Sequence, residues 1–329
     1  MARNRFGKRW LGITVVSVLA IFVCVAGVQA AGEWKPSKPI QFVVPYAPGG
    51  GSDIFIRSIE NIVKSEKLCP VPMMVVNQPG GGGSIGMTNV VQQRGNPHVL
   101  MCFVSLAAPL TAGKNVPTFR DMTNIANLVV DEQLIVVKSN SPLKTVEDIV
   151  AEAKKRPGEI LVGGTMPTGD DRMCLHSFEK AASIKFRYVP FNSGGECVTA
   201  LLGGHVEMIW ANPGEFAPQW EAKMVRPIAI AKEKRISLFP DVPTFREKGY
   251  DVTFYLFRGV AAPAGIPDEA IAFYENMLKH VSESAAWKRN YLDRYMLSAA
   301  WIGYKDYTPF IIEQEKLYKD FLIDMGVLK

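Results

Sequence analysis

A short apolar strand that runs into a glycine-rich loop and then into a helical pattern occurs four times in this chain. The loops lie at residues 45–53, 79–86, 163–171 and 193–196. Glycine lets main-chain N–H groups crowd around a ligand, and the first turn of the following helix adds unpaired donors with partial positive charge. The alternation predicts an α/β fold with mainly parallel sheets, whose ligands lie beyond the carboxyl ends of the strands. The loops therefore predict an anion-binding pocket at that edge.

The first thirty residues have the layout of a secretory signal peptide. Four basic residues precede an apolar run at 10–28, and the small residue Ala30 stands where the peptidase cleaves. We expect cleavage near Ala30 and a periplasmic location. The alternative is an uncleaved anchor, because an apolar run of this length nearly spans a bilayer. Cys24 lacks the preceding small residue of a lipid-attachment site, which disfavours a lipoprotein.

Removal of this leader would leave the chain almost neutral. The full sequence has 37 basic and 32 acidic residues, and four of the basic residues but none of the acidic ones lie in the first thirty positions. A nucleic-acid or membrane-surface partner requires a basic excess or a basic stripe. We therefore expect neither kind of partner.

The mature chain keeps four cysteines, an even number in an oxidising compartment. Their spacing matches no metal motif, and roughly three hundred residues bury a sufficient core without cross-links. Free, buried thiols are the expectation, and a disulfide is the open alternative. No two histidines fall at ligand spacing either, so we expect no metal and no cofactor. The four cysteines are Cys69, Cys102, Cys174 and Cys197.

The order of strands and helices predicts two lobes joined by two crossings. The apolar segment at 128–138 is interrupted by two acidic residues, which suits a strand that passes from one body to another. The last sixty residues have a mainly helical pattern. We assign residues 31–131 and 255–329 to lobe 1 and residues 132–254 to lobe 2.

The second loop also matches two enzyme motifs. Gly81, Gly83 and Gly86 satisfy G-x-G-x-x-G, but the acidic residue that a dinucleotide site needs about twenty positions later is absent. Ser84 stands at the serine of a G-x-S-x-G pattern, which makes a secreted α/β esterase the alternative function. That reaction needs a histidine base, and the four histidines of the chain have no obvious relation to Ser84.

Several charged residues have two possible roles. Asp53 is suited to cap the helix that follows it and to order the loop so that its N–H groups face a ligand, and these two roles are compatible. Asp170 and Asp171 complement a helix dipole or contact the ligand. Candidate ligand cations, each of which is equally a surface charge, are Arg57, Arg172 and Arg187.

An ordered set of motifs resembles the substrate-binding proteins of tripartite tricarboxylate transporters, also called Bug proteins. The resemblance covers roughly residues 38–265. The matching segments lie at 38–53, 76–86, 188–195, 200–206 and 239–245.

This resemblance implies a two-lobed periplasmic-binding-protein fold of type II, the Venus flytrap. Such a receptor captures a small carboxylate between its lobes and delivers it, as a monomer, to membrane permease subunits, without catalysis. Asn192 and Ser193 replace a basic residue of many relatives, which leaves the ligand and the roles of Asp170, Asp171 and Arg172 open. The residues that the resemblance places at the ligand are Tyr46, Pro48, Gly49, Gly50, Gly51, Ser52, Asp53, Gly81, Gly82, Gly83, Ser84, Ser105, Gly164, Thr165, Asn192, Ser193, Gly194 and Asn212.

Overall fold

Two mixed β-sheets flanked by helices form the framework of the chain, which confirms the two-lobed α/β fold. The computed structural model describes residues 34–104, 106, 110, 116–191, 193–254 and 256–328. The predicted signal peptide and two predicted site residues, Ser105 and Asn192, lie outside the described residues. None of the helices in the described ranges combines the length and the apolar character that a membrane crossing requires.

Eleven strands are described. In chain order they are β1 (Ile40–Val44), β2 (Met73–Asn77), β3 (Val99–Phe103), β4 (Met122–Asp131), β5 (Leu134–Lys138), β6 (Leu161–Thr165), β7 (Arg187–Phe191), β8 (Met208–Ala211), β9 (Val225–Ile230), β10 (Leu256–Pro263) and β11 (Ser298–Ile302).

Eight longer helices and an irregular helical segment at 285–295 are described. The helices are α1 (Gly51–Ser65), α2 (Ser84–Gln92), α3 (Val146–Lys155), α4 (Asp170–Ala182), α5 (Gly194–Gly203), α6 (Pro213–Glu221), α7 (Asp268–Glu283) and α8 (Tyr304–Asp324).

The first sheet, in lobe 1, has the strand order β11-β4-β10-β3-β1-β2, and the second, in lobe 2, has the order β7-β6-β8-β5-β9. Only the strands β2-β1-β3 and β7-β6-β8 pair in parallel. The remaining pairs, which involve β4, β5, β9, β10 and β11, are antiparallel. The sheets are therefore mixed rather than mainly parallel, because the strands that connect the lobes enter each sheet in the reverse direction.

The last sixty residues are mainly helical, as expected, but the strand β11 interrupts them. It pairs antiparallel with β4, from Ser298↔Val130 to Ile302↔Asn127. Its sequence, Ser-Ala-Ala-Trp-Ile, contains few residues with strong strand propensity. Pairing with a distant strand decides the conformation of this segment.

The chain crosses between the sheets twice. It leaves the first sheet at Asp131, the end of β4, and enters the second at Leu134, the start of β5. It returns before Leu256, the start of β10. Helix α8 packs along β4 and ends against lobe 2, where Asp324 contacts Lys180 at 2.8 Å. The lobe boundaries that we assign from the sequence remain a prediction. The end of α8 was assigned to lobe 1, but it also contacts lobe 2.

Apolar side chains at helical spacing bury one face of α1 against the first sheet. Phe55, Ile59 and Ile62 are all within 5% of complete burial. The four described cysteines are free thiols, of which three are buried and Cys69 is partly exposed. The expectation of free thiols is thus confirmed.

We expect Thr145→Ala to lower the free energy of unfolding by about 1 kcal/mol, because Thr145 caps α3. Its hydroxyl accepts the Asp148 N–H at 3.1 Å, and the Asp148 carboxylate accepts the Thr145 N–H at 3.0 Å. Urea denaturation measures the loss. Thr199→Ala is the control, since the Thr199 hydroxyl bonds to the Gly195 carbonyl within α5 and caps nothing. Equal losses in both variants would contradict the assigned cap.

Candidate functional site

The loop after β1 is ordered by the carboxylate of Asp53, in the first turn of α1. Its Oδ2 accepts hydrogen bonds from the Gly49 N–H and from Arg57 Nε, both at 2.9 Å. Its Oδ1 accepts one from Asn77 Nδ2, at the end of β2, at 3.0 Å. Burial opposes ionisation, but these hydrogen bonds outweigh it and hold the pKa of Asp53 below its ordinary value. Of the two predicted roles, Asp53 therefore has the loop-ordering one, since Gly50 occupies the cap position.

The first turn of α1 presents main-chain donors beyond the end of β1. Gly50 and Gly51 are exposed. Within the described part of the chain, the N–H groups of Gly51 and Ser52 meet no acceptor. Unpaired N–H groups at a helix N-terminus carry partial positive charge and bind anions. This turn is suited to a carboxylate.

The second glycine loop lies beside the first, since β1 and β2 are paired. Gly81, Gly82 and Gly83 have φ values of 56°, 64° and 100°, a region that favours glycine. A Cβ at Gly83 would lie 3.3 Å from the Tyr46 hydroxyl. The structure thus brings the two loops of lobe 1 together.

In lobe 2, the loop after β6 is ordered by the carboxylate of Asp171. Its Oδ2 accepts the Thr165 N–H at 2.6 Å and the Thr165 hydroxyl at 2.8 Å, and its Oδ1 accepts Gln133 Nε2 at 2.8 Å. A Cβ at Gly164 would lie 2.7 Å from the Asp171 Cβ and 2.6 Å from the Tyr188 hydroxyl. Neighbouring atoms therefore leave no room for a side chain at residue 164. The Thr165 N–H is already bound by Asp171.

A third carboxylate, Glu215, fills the space beside the N-terminus of α5. Its Oε2 accepts the Asn212 N–H at 3.0 Å. A Cβ at Gly194 would lie only 2.1 Å from the Glu215 carboxyl carbon, so the missing side chain makes room for this carboxyl group. The Asn212 Nδ2 donates to the Glu132 carbonyl at 2.8 Å. Two predicted ligand residues, Gly194 and Asn212, thus contact or bind Glu215, whereas Ser193 is exposed and accepts the Glu196 N–H at 3.3 Å.

The two lobes also meet at the first turn of α4. The Tyr318 hydroxyl, from α8, donates to Asp170 Oδ1. Burial raises the pKa of Asp170 to about 6; the Tyr318 hydrogen bond opposes this shift and the charge of Asp171 adds to it. Burial raises the pKa of Tyr46 in the first loop, and the charges of Cys102 and Asp170 add to the effect. The first turn of α4 is therefore in direct contact with α8.

Arg258, on β10, is a mostly buried cation that no sequence motif indicates. Its Nη2 donates to Asp131 Oδ2 at 2.6 Å, and the two side chains are only 14% and 6% exposed. Its Nη1 would lie 2.8 Å from a Cβ at Gly51, so the guanidinium lies directly against the first turn of α1. The signal in the sequence is a lone charge between Phe257 and Gly259 in an otherwise apolar strand.

A cavity of about 250 Å³ lies at this junction. It is bounded by the first turn of α1, by the crossing between the lobes and by the first turn of α6. Its polar wall is formed by Gly51, Asp131, Asn212, Gly214, Glu215 and Arg258.

A larger cavity, of about 540 Å³, lies elsewhere in lobe 2. Lys155 and Arg156 at the end of α3, together with Gly204 and Val206 before β8, are among its lining residues. It therefore lies at the amino ends of β6 and β8, the edge opposite the glycine loops. Volume alone does not identify the site.

The three predicted ligand cations have other positions. Arg57 binds Asp53. Arg172 binds Glu179 at 3.0 Å and lies over the Tyr188 ring. Arg187 is exposed on β7. None of the three lines the cavity that Arg258 borders.

The esterase alternative requires a histidine base, and within the described residues no hydrogen bond joins Ser84 to a histidine. Within the described residues, the ring nitrogens of three histidines bind groups away from it: His98 accepts the Ser37 N–H, His176 contacts Asp324, and His280 contacts Glu66. The fourth, His205, packs against Gly203. The same described residues hold no group of three or more His, Cys, Asp or Glu suited to a metal ion.

We expect opposite effects on stability from alanine at the two adjacent glycines of α5. Gly194→Ala displaces the Glu215 carboxyl from the Asn212 N–H and lowers the free energy of unfolding by about 1 kcal/mol. Gly195→Ala meets no atom closer than 4.0 Å and raises it by up to about 1 kcal/mol, because alanine favours the helix. Urea denaturation distinguishes the two signs, and equal stabilisation by both would contradict the placement of Glu215.

We expect the stability of the protein to fall as the pH rises from about 5 to 8, partly through Glu215. Burial, followed by the negative charges of Asp171 and Asp131, raises the pKa of Glu215 to about 8 from 4.5, while the Asn212 N–H and Arg258 oppose the shift. The unfolded chain therefore loses this proton at lower pH than the folded chain, and the stabilisation by the proton is lost on the way to pH 8.

Glu215→Gln tests this expectation because glutamine does not titrate. The variant should be more stable than the wild type by about 1–2 kcal/mol at pH 8, with a smaller difference at pH 5. Chemical denaturation at the two pH values measures it. A difference that does not change with pH would show that Glu215 titrates normally.

Comparisons with known proteins agree with this architecture. The chain is 26% identical, over its whole length, to the UPF0065 protein in the gbd 5′ region of Cupriavidus necator, of which it covers 99%. A TctC solute binding protein from Polaromonas, solved without ligand, has a TM-score of 0.77 and 27% identity, with 88% of this chain and 99% of that one covered. MatC from Rhodopseudomonas palustris, solved with bound malate, shares the fold at a TM-score of 0.69 and 20% identity, with 87% and 99% covered.

The family described as the tripartite tricarboxylate transporter family receptor, TctC, matches residues 56–327, which is most of the chain. The match includes α1 from its second turn, the second glycine loop, both crossings and the whole of lobe 2. It confirms the resemblance seen in the sequence motifs, and the chain belongs to the TctC family of tripartite tricarboxylate transporter receptors.

Proposed function

We propose that this protein is a periplasmic receptor that captures a small carboxylate between its lobes and delivers it to the permease of a tripartite tricarboxylate transporter. The observation that carries the proposal is the first turn of α1. Its N–H groups at Gly51 and Ser52 are unpaired within the described residues, and the loop before it is held in place by Asp53. A preorganised set of donors binds an anion with little further loss of conformational freedom.

The ligand residues predicted from the resemblance fall into two groups in this proposal. Main-chain groups of Gly50, Gly51 and Ser52, together with the adjacent loop at 81–84, contact the ligand directly. A second group acts indirectly, through the carboxyl groups of Asp53, Asp171 and Glu215 that order the loops. Asp53 is itself one of these groups, Thr165 and Asn212 donate their N–H groups to the other two, and Gly194 leaves room for Glu215. Ser105 and Asn192 keep their predicted ligand contacts as part of the proposal.

Closure of the lobes about the two crossings buries the ligand and presents one closed surface to the permease. The protein acts as a monomer, reaches the periplasm through the signal peptide at 1–30 and performs no catalysis. The bound malate in MatC, a protein of the same fold, supports a carboxylate as the class of ligand.

We expect Gly50→Val to weaken carboxylate binding by at least about tenfold while the protein stays folded, because a β-branched side chain at the cap position would cover the donors of α1. The structure has room for the substitution: φ at Gly50 is −78° and a Cβ would lie 3.6 Å from the nearest atom, the Ala47 carbonyl oxygen.

Thermal-shift screening against mono-, di- and tricarboxylates measures this binding, since a ligand at a hundred times its dissociation constant adds about 2.7 kcal/mol of stability. Gly50→Ala is the matched control and should bind with a smaller loss, because its side chain is a single methyl group. Normal binding by Gly50→Val would place the carboxylate elsewhere, and silence of the wild type across the panel would contradict the receptor function.

A further inference from the structure

The cavity at the lobe junction combines charges of both signs. Arg258 provides the positive charge, against the first turn of α1. Asp131 and Glu215 provide two carboxyl groups on the opposite side, from the end of β4 and the first turn of α6. A volume of about 250 Å³ lies just below the usual range of ligand pockets, roughly 300–1,000 Å³. The space therefore suits a small molecule with two polar ends.

Both kinds of charged group keep hydrogen-bonding capacity that the protein does not use. Asp131 is 4% exposed, and its Oδ1 has no donor within the described residues, although Oδ2 binds Arg258. Arg258 Nε is likewise buried and has no acceptor within those residues. A buried polar atom without a partner is costly, so it favours a rearrangement that supplies the missing bond. Because both atoms are fully buried, a ligand reaches them only when the side chains around the cavity move.

Acidic groups outnumber basic groups around this cavity. Asp131 and Glu215 line it, and Asp171 lies near enough for its charge to raise the pKa of Glu215. Arg258 is the one cation among the residues that line it. A dicarboxylate would add two further negative charges next to these carboxyl groups. A ligand with one anionic and one cationic end matches the arrangement better.

We infer that this cavity binds a small zwitterion, of the size of an amino acid, whose carboxylate contacts Arg258 and the first turn of α1 and whose ammonium contacts Asp131 and Glu215. The inference rests on the receptor function proposed above and names its class of ligand. The charge of the ammonium relieves the repulsion between the carboxyl groups that line the cavity. The ligand carboxylate accepts from Arg258 and from the unpaired N–H groups of α1.

Isothermal titration calorimetry with matched pairs of ligands tests the inference. Succinate and L-aspartate differ by one ammonium group, as do propionate and L-alanine. At pH 8 we expect at least one amino acid to bind about tenfold or more tightly than its matched acid, as a charge-assisted hydrogen bond in a buried site predicts.

Glu215→Gln assigns this preference to the cavity. The substitution keeps the shape of the side chain, and we expect it to reduce the ratio of the two affinities about tenfold, because the amino acid loses more affinity than its matched acid. Asp131→Asn should reduce the ratio in the same direction. Glu207→Gln, on the far edge of lobe 2 beside Arg156, is the matched control and should leave the ratio unchanged.

The outcomes separate this inference from the receptor function. Tighter binding of succinate and propionate than of their matched amino acids would overturn the zwitterion site but not the carboxylate receptor. A ratio of affinities that neither Glu215→Gln nor Asp131→Asn alters would have the same consequence. Failure of both members of both pairs to bind, with binding of a tricarboxylate retained, would likewise overturn only the zwitterion site. Absence of binding to every carboxylate would overturn both.

Discussion

Carboxylates in the first turns of helices hold the loops of this protein in place. Asp53 accepts the Gly49 N–H in lobe 1, and Asp171 and Glu215 accept the N–H groups of Thr165 and Asn212 in lobe 2. In each case the carboxyl group follows a strand and a short loop, in the first turn of a helix. The shape of each loop is thus set by a side chain that comes only three to six residues later in the chain.

This arrangement gives the glycines of the loops two different roles. A glycine-rich loop suggests that a ligand approaches the backbone closely, and that interpretation applies to Gly50, which is exposed. At Gly164 and Gly194, however, the atoms that exclude a side chain belong to Asp171, Tyr188 and Glu215. At these two positions the missing side chain makes room for other side chains of the protein.

Short-range features of the site could be predicted from the sequence, whereas long-range ones could not. The order of strands and helices, the position of the first loop and the ordering role of Asp53 depend on neighbours within a few residues. Arg258 depends on Asp131 and Gly51, which are more than a hundred residues away, so no local pattern reveals its ion pair. The same holds for β11, which is a strand because β4 is available beside it.

Three consecutive polar residues, 131–133, form the first crossing, and their hydrogen bonds fix its position. Asp131 binds Arg258 on β10, Glu132 binds Lys232 after β9, and Gln133 binds Asp171 at the start of α4. Each bond ties the crossing to a different element, so the crossing has one defined position.

Within the described residues, one side-chain oxygen of each member of this run still lacks a donor. Unsatisfied buried oxygens raise the energy of the arrangement, because each has lost its hydration without a replacement. A conformational change that supplies donors to these oxygens is therefore more favourable than a change that leaves them without donors. In the closure proposed for this receptor the crossing carries the motion between the lobes, so the same three residues would connect occupation of the cavity to the relative position of the lobes.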